Sequence, residues 1–462
     1  MKKMRIFPLF LSIILVIGVC NVSIYAAQEN PAVTSGCHSV DAAMTLGAGE
    51  KITDTAKAAI LYELNSGTMI YAHNPDAKIY PTSMVKMMTT LVALENAELD
   101  DVVTVTRSVL NQVPIGILGA DLKAGEEITL RDLLYANMVA SATDAAVIAA
   151  AHVGGSVEDF LQMMNDKAAE LGCSNTHYGN VHGLHDEQTY TTARDICRLT
   201  EAALQNKTFR EMFCTVDYTL PATNIHEQRE ITTTNNMMNP RKSKYYDERV
   251  TGGKTGATDE GGRCLTLTAQ KDGMELLCIV MGATPTYASN GSIEVYGSFE
   301  ESKVLIDYAF DNFEFRQVFF DGQSLDQYPV SNGASHVVTQ ATTSISTILP
   351  KELDASQLKW DYQLNDSNLT APVEKGQILG TARVWYGTKC LAQTDMVAMN
   401  GVKIAQSPVI PEKPAGMQGG SWLTFVLILL GLVVLAFLII LGLRAFHIMK
   451  YQRRQRKRSR RR

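Results

Sequence analysis

The chain has 462 residues, of which 46% are hydrophobic and 19% charged, a balance that excludes intrinsic disorder and gives room for two or three domains with real cores. Its net charge of −6 is uneven: the first 26 residues carry about +3 and those after Leu443 about +10, so the stretch between stands at about −19. An acidic body of that size argues against gripping nucleic acid or another polyanion, while leaving room for a local cationic pocket.

The N-terminus runs from MKKMR through the apolar IFPLFLSIILVIGV to SIYAAQ. That is the basic, apolar, small-residue order of a secretory signal, with cleavage expected after Ala26; a retained anchor is the alternative. Residues 27–56 form a lead-in. From Lys57, AAILYELNSGTMIYAH alternates apolar and polar residues around Asn65-Ser66-Gly67 and predicts a β-hairpin. After PTS, the spacing of Met, Leu, Val and Ala in MVKMMTTLVALENA predicts a buried helix. Further helices are predicted over LRDLLYANMV, ATDAAVIAAAHVG, VEDFLQMMNDKAAELG and TARDICRLTEAALQ. CLTLTAQKDGMELLCIVMGA then reads as two strands about a Lys-Asp-Gly turn, and FEESKVLIDYAFDNF as a helix. Strands at both ends of a helical middle predict one α+β domain over 57–314, its first and last strands sharing a sheet.

Residues 315–406 are helix-poor, with short alternating runs such as APVEKGQILGTARVWY, and predict a small all-β domain. SPVIPEKPAGMQGGS, residues 407–421, is rich in Pro and Gly and reads as a linker. Residues 422–443, WLTFVLILLGLVVLAFLIILGL, carry no charge and are long enough to cross a bilayer as a helix. The Lys- and Arg-rich tail 444–462 beside this span marks the cytoplasmic side, placing the bulk of the chain outside the cell. Seven cysteines remain after signal removal, from Cys37 to Cys390, with no C-x-x-C pair. The set argues against a metal site and favours buried free thiols over a disulfide framework, with one or two bridges left open.

The chemistry lies in three stretches. In PTSMVK, Ser83 near a helix start has Lys86 one turn further on the same face, so the amine can reach the hydroxyl. A serine needs a base to take its proton, and a lysine serves only if desolvation and a neighbouring cation lower its pKa. Lys254 in TGGKTGATDE supplies a second cation; Lys254-Thr255-Gly256 is expected to open the strand CLTLTA, and Gly256 leaves room for a ligand backbone. VASATDAAV sets Ser141 at a turn between two helices.

S-x-x-K, a serine triplet and K-T-G in this order resemble the penicillin-binding proteins and serine β-lactamases. The chain resembles a D-alanyl-D-alanine carboxypeptidase of the low-molecular-mass penicillin-binding type from about Ala58 to Phe313. The likeness includes GADLKAGE, NVHGL and TTARD. It implies an α+β penicillin-binding fold, an antiparallel sheet with a helical cluster, followed by the small all-β domain and the transmembrane helix. It further implies a membrane-anchored enzyme acting on peptidoglycan stem peptides, acylated by β-lactam antibiotics, with no cofactor.

By that resemblance, Ser83 attacks the carbonyl between the two D-alanines and Lys86 accepts its proton. Ser141 relays a proton to the leaving D-alanine and helps position Lys86. Lys254 and Thr255 hold the terminal carboxylate, and the N–H groups of Ser83 and Ala257 form the oxyanion hole beside Gly256.

Two departures stand out. Thr143 replaces the asparagine that usually ends the triplet; it is expected to accept a hydrogen bond from Lys86 without also reaching the substrate carbonyl. Relatives often bind the carboxylate with an arginine some thirty-odd residues after K-T-G, and none occurs here between Arg263 and Arg316. Two rival functions stay in view: a β-lactamase, for which no E-x-x-L-N stretch supplies the second base, and a non-catalytic wall-binding scaffold. His182 and His185, in NVHGLHDE, lack a matched thiol or carboxylate partner for a metal and read as structural. Asp195 reads as a helix-starting residue.

Overall fold

The computed structural model describes residues 52–115, 117–241, 243–406 and 422–458. The signal segment, most of the lead-in and the linker lie outside these described residues. Strand β1 (Ala58–Glu63) turns into β2 (Thr68–His73), and a 3-10 turn at Thr82–Met84 runs straight into helix α1 (Val85–Asn96). A short strand pair, β3 (Val102–Thr104) and β4 (Glu127–Thr129), brackets the one-turn α2 (Arg107–Leu110). Helices α3 (Leu130–Met138), α4 (Thr143–Gly154), α5 (Val157–Glu170), α6 (Ala193–Ala203) and α7 (Lys207–Cys214) follow. A hairpin of β5 (Asp217–Leu220) and β6 (Arg229–Thr232) then leads to three long strands, β7 (Val250–Thr258), β8 (Gly262–Lys271) and β9 (Met274–Ala283). The short pair β10 (Thr286–Tyr287) and β11 (Ile293–Val295) precedes α8 (Gly297–Asn312).

The central sheet has the order β2-β1-β9-β8-β7 and is antiparallel throughout. Its first strand thus pairs with its last, Ile60 opposite Ile279. Burial on both faces explains why AAILYE does not alternate with polar residues as the hairpin reading expected. Ala58, Ile60 and Tyr62 point into the core shared with the helical cluster, whereas Ala59 and Leu61 point into a second core under α8. A central strand covered on both sides favours apolar side chains on both faces, and the one buried acid in β1, Glu63, accepts hydrogen bonds from Ser66 and from Glu275 N. At the β8–β9 turn, Asp272 and Gly273 both take positive φ (51° and 81°), the primed-turn geometry that suits a two-residue hairpin.

Helix α1 lies at the centre of the helical cluster, and its residues from Val85 to Ala93 are all buried. That makes Lys86 a lysine held inside a core.

The second domain contains the pair β12 (Phe313–Phe319) and β15 (Ile345–Pro350). Its five-stranded sheet joins β13 (Ser324–Tyr328), β14 (Val337–Ala341), β18 (Lys389–Ala398), β17 (Ile378–Tyr386) and β16 (Leu358–Leu364) in that order. Lys351 ties it to α8, donating to the main-chain oxygens of Asn312 and Phe310. Cys390 is disulfide-bonded, one of the bridges that the sequence left open beside the free thiols. The free-thiol reading holds for Cys173, Cys197, Cys214, Cys264 and Cys278, and burial pushes the thiols of Cys173 and Cys278 up to about 12, which leaves them unreactive at neutral pH. Separately, α9 (Trp422–Arg458) is one continuous helix with its side chains exposed from Thr424 to Arg453. Its apolar part is long enough to span a bilayer. The helix runs on past Leu443 into the basic tail, where Lys and Arg are good helix formers and favoured near a C-terminus.

Candidate active site

Ser83 is half-buried in the 3-10 turn at the head of α1. Lys86, 1% exposed, places Nζ 3.4 Å from Ser83 Oγ and donates to the main-chain oxygen of His182 at 2.5 Å. The separation from the serine is longer than an ordinary hydrogen bond, as catalytic pairs often are without substrate. Burial disfavours the ammonium and brings the Lys86 pKa down to about 7, against an opposing pull from Asp144. An amine that can be neutral near physiological pH, beside a hydroxyl, is what a lysine base requires.

Ser141 occupies the turn between α3 and α4 with φ +59°. Lys254 donates to its hydroxyl at 2.9 Å and to the Thr255 carbonyl at 3.1 Å. Lys254 is also 1% exposed, and burial together with repulsion from Lys86 holds its pKa well below the ordinary lysine value. Ser141 therefore sits on Lys254, and the expected positioning contact with Lys86 is replaced by the His182 carbonyl. The K-T-G residues do not open the strand CLTLTA as expected from sequence; they lie within the preceding strand β7, at the sheet edge, with Lys254 opposite Thr266.

Gly256 brings β7 against the nucleophile's turn. A Cβ there would lie 1.9 Å from Thr82 Oγ1 and 2.9 Å from Ser83 N, so the close approach requires glycine. Thr82 itself holds φ +54°, uncommon for a β-branched residue and typical of the strained backbone found at functional sites. The Thr255 hydroxyl meets that of Thr234 at 2.5 Å.

Ser83, Ser141, Thr143, Thr255, Gly256 and Ala257 line one cleft of about 420 Å³, with Lys86 and Lys254 buried behind its wall. Thr143 donates its backbone N–H to the Leu118 carbonyl, and its hydroxyl has no hydrogen-bond partner among the described residues. The expected bond from Lys86 to Thr143 is thus not formed.

Sequence reasoning missed three contributors. The loop Asn180–Leu184 delivers the His182 carbonyl to Lys86, held by the Asn180 side chain accepting from the N–H groups of His182 and Gly183. The His182 ring accepts from Leu184 N, and burial with the Lys86 charge lowers its pKa to about 4, so it stays neutral. Thr234 and Arg263 also line the cleft. Asp195 accepts from Asn175 and Thr176 and pairs with Arg198, consistent with its structural reading.

A family model described as D-alanyl-D-alanine carboxypeptidase matches residues 45–285, more than half of the chain. The chain belongs to this carboxypeptidase family. A second model, the C-terminal domain of penicillin-binding protein 5, matches residues 313–403. Among named members of the carboxypeptidase family, the chain is 28% identical to DacF of Bacillus subtilis over 77% of its length and 88% of that protein. It is 29% identical to DacA of Haemophilus influenzae over 82% of its length and 90% of that one. Penicillin-binding protein 5 of Haemophilus influenzae superimposes with a TM-score of 0.61 at 28% identity, covering 77% of this chain and all of that structure.

Proposed function

We infer that the protein is a serine-type D-alanyl-D-alanine carboxypeptidase that trims the terminal D-alanine from peptidoglycan stem peptides and is acylated by penicillin. The observation that carries this reading is the buried Lys86 amine 3.4 Å from Ser83 Oγ, with its pKa drawn down to about 7. Ser83 attacks the carbonyl carbon while Lys86 takes the hydroxyl proton. The tetrahedral oxyanion is met by the N–H groups of Ser83 and Ala257. Collapse breaks the peptide bond, and the proton that Lys86 took is passed through the Ser141 hydroxyl to the departing D-alanine amine, which leaves Lys86 neutral again. Water, deprotonated by the same amine, then frees Ser83. Thr255 and the field of Lys254 face the substrate carboxylate. Incubating a diacylated lysyl-D-alanyl-D-alanine peptide with the protein should yield one free D-alanine per peptide by mass spectrometry. Fluorescent penicillin should label Ser83 persistently; rapid turnover of the label would support a lactamase, and no label the scaffold.

The segments 1–26, 27–56, 57–314, 315–406, 407–421, 422–443 and 444–462 are proposed as signal, lead-in, catalytic domain, β domain, linker, single membrane span and cytoplasmic tail. The catalytic domain then works on the outer face. Deleting everything after Gly420 is expected to release a soluble protein with undiminished activity on a small peptide, because no cleft residue lies beyond it. Loss of that activity would show that the anchor does more than tether. Activity on intact wall should fall, since tethering raises local concentration.

Thr143 gives a further expected outcome. An asparagine amide there can donate to the substrate carbonyl from a position where the threonine hydroxyl has no protein partner, so Thr143→Asn should raise kcat/KM a few-fold, about one hydrogen bond's worth. Because Lys86 is held by His182 instead, Thr143→Val should leave penicillin acylation close to normal. Steady-state D-alanine release and acylation rates of the three proteins check both; a collapse of acylation in the valine variant would mean that Thr143 orients Lys86 in solution.

A further inference from the structure

The proposed substrate ends in a carboxylate, so the cleft must offer a cation to it. Lys254 is a poor donor of net charge: it is buried, its ammonium is destabilised, and two of its hydrogen bonds already go to Ser141 and the Thr255 carbonyl. Among the described residues that line the cleft, Arg263 is the one charged side chain. It stands on β8 directly opposite Ala257 of β7, hence on the same sheet face as Ala257 and Thr255. The guanidinium sits 5.8 Å from the centre of the Tyr296 ring, within cation–π range. Tyr296 is itself fixed by Tyr245, whose hydroxyl accepts from Tyr296 N, and by Phe299.

Elsewhere in this domain arginines are spent on carboxylates. Arg194 binds Asp76, Arg210 binds Glu275, Arg229 reaches Glu126 and Arg249 clamps Asp247. Arg263 has no acidic or hydrogen-bonding partner among the described residues. In a body with a large excess of acidic side chains, a guanidinium held over an aromatic ring and left without a carboxylate in the lining of a cleft is a prepared anion site. The N-terminus of α8, at Ser298 and Phe299, opens on the same cleft and adds a favourable dipole.

We propose that Arg263, in cation–π contact with Tyr296, together with the Thr255 hydroxyl, binds the C-terminal carboxylate of the D-alanyl-D-alanine substrate and selects for a free C-terminus. The inference rests on the carboxypeptidase reading above. It locates the carboxylate-binding cation on strand β8, at a residue just seven positions after Gly256, where the sequence had offered none further on.

The test compares wild type, Arg263→Gln and Arg263→Lys on diacetyl-lysyl-D-alanyl-D-alanine and on the same peptide with its C-terminus amidated. Loss of a charge-assisted, forked hydrogen bond should lower kcat/KM for the acid about 10- to 100-fold in Arg263→Gln, mainly through KM, with Arg263→Lys between the two. The amide, which has no carboxylate to lose, should change far less, so wild-type discrimination between the peptides collapses. Saturating penicillin label counts folded active sites in each protein. Equal losses on both peptides would make Arg263 a packing residue and overturn the proposal, as would an unchanged ratio of acid to amide. If wild type is neither labelled nor releases D-alanine, the carboxypeptidase reading falls and the proposal with it; a labelled, active wild type with an indifferent Arg263→Gln sinks the proposal alone.

Discussion

Ser83→Ala is expected to abolish both penicillin labelling and D-alanine release, with a loss on the order of 10⁶-fold, the scale seen when a covalent-catalysis serine is removed. The substitution deletes one oxygen from a half-buried side chain. Its structural cost is small, because the hydroxyl's partner Lys86 keeps its bond to the His182 carbonyl. The thermal midpoint should therefore stay close to wild type, and the β7 edge, the Gly256 approach and the Arg263 platform remain to bind substrate. Peptide binding measured by calorimetry should persist while turnover vanishes. Covalent penicillin on any other residue of the variant would sink the assignment of Ser83 as nucleophile.

Much of this site was legible in sequence because it follows from helical period. Ser83 and Lys86 fall on one face of any helix that contains them, and the Met, Leu, Val and Ala residues between Met84 and Ala93 mark that helix as interior. Ser141 was legible as a turn between two helical patterns. The strand carrying Lys254 was misplaced because VTGGKTGAT, with four glycines or alanines among nine residues, lacks the apolar alternation by which strands are recognised; it is an edge strand whose glycines are packed by the side chains of Phe213, Asn235 and Thr82. Its partner strand was found because CLTLTA does alternate. The acceptor for Lys86 was hidden for another reason: His182 lies 96 residues along the chain and contributes a carbonyl, which every residue has. No residue type could have announced it. Arg263 was visible as a letter but not as a site, since its meaning lies in having no carboxylate nearby when other arginines do.

Lys86→Met is the second large effect expected, and it separates chemistry from folding. Without the amine, Ser83 loses general-base help worth about 10²- to 10⁴-fold, so acylation by penicillin and D-alanine release should fall together by that factor. Stability should move the other way or stay level, because a desolvated amine in the core of α1 is exchanged for an apolar side chain of similar length. The wild-type pH profile carries the same argument. Lys86 must be neutral to act, and its pKa is lowered to about 7; kcat/KM should thus rise with pH through about 7 and drop about tenfold per unit on the acid side, where the amine is protonated. An ordinary lysine would place that limb above pH 10. Linkage runs in the same direction: the unfolded chain holds the Lys86 proton more tightly than the folded one, so this residue's contribution to stability grows as pH rises from about 7 toward the ordinary lysine value. The measurements are acylation rates against pH for wild type, and thermal midpoints for both proteins at one pH. Near-normal acylation in Lys86→Met would mean that another group takes the Ser83 proton. An acid limb near 10 would mean that burial does not hold Lys86 neutral, and the base would then have to be sought at Ser141 with Lys254 behind it.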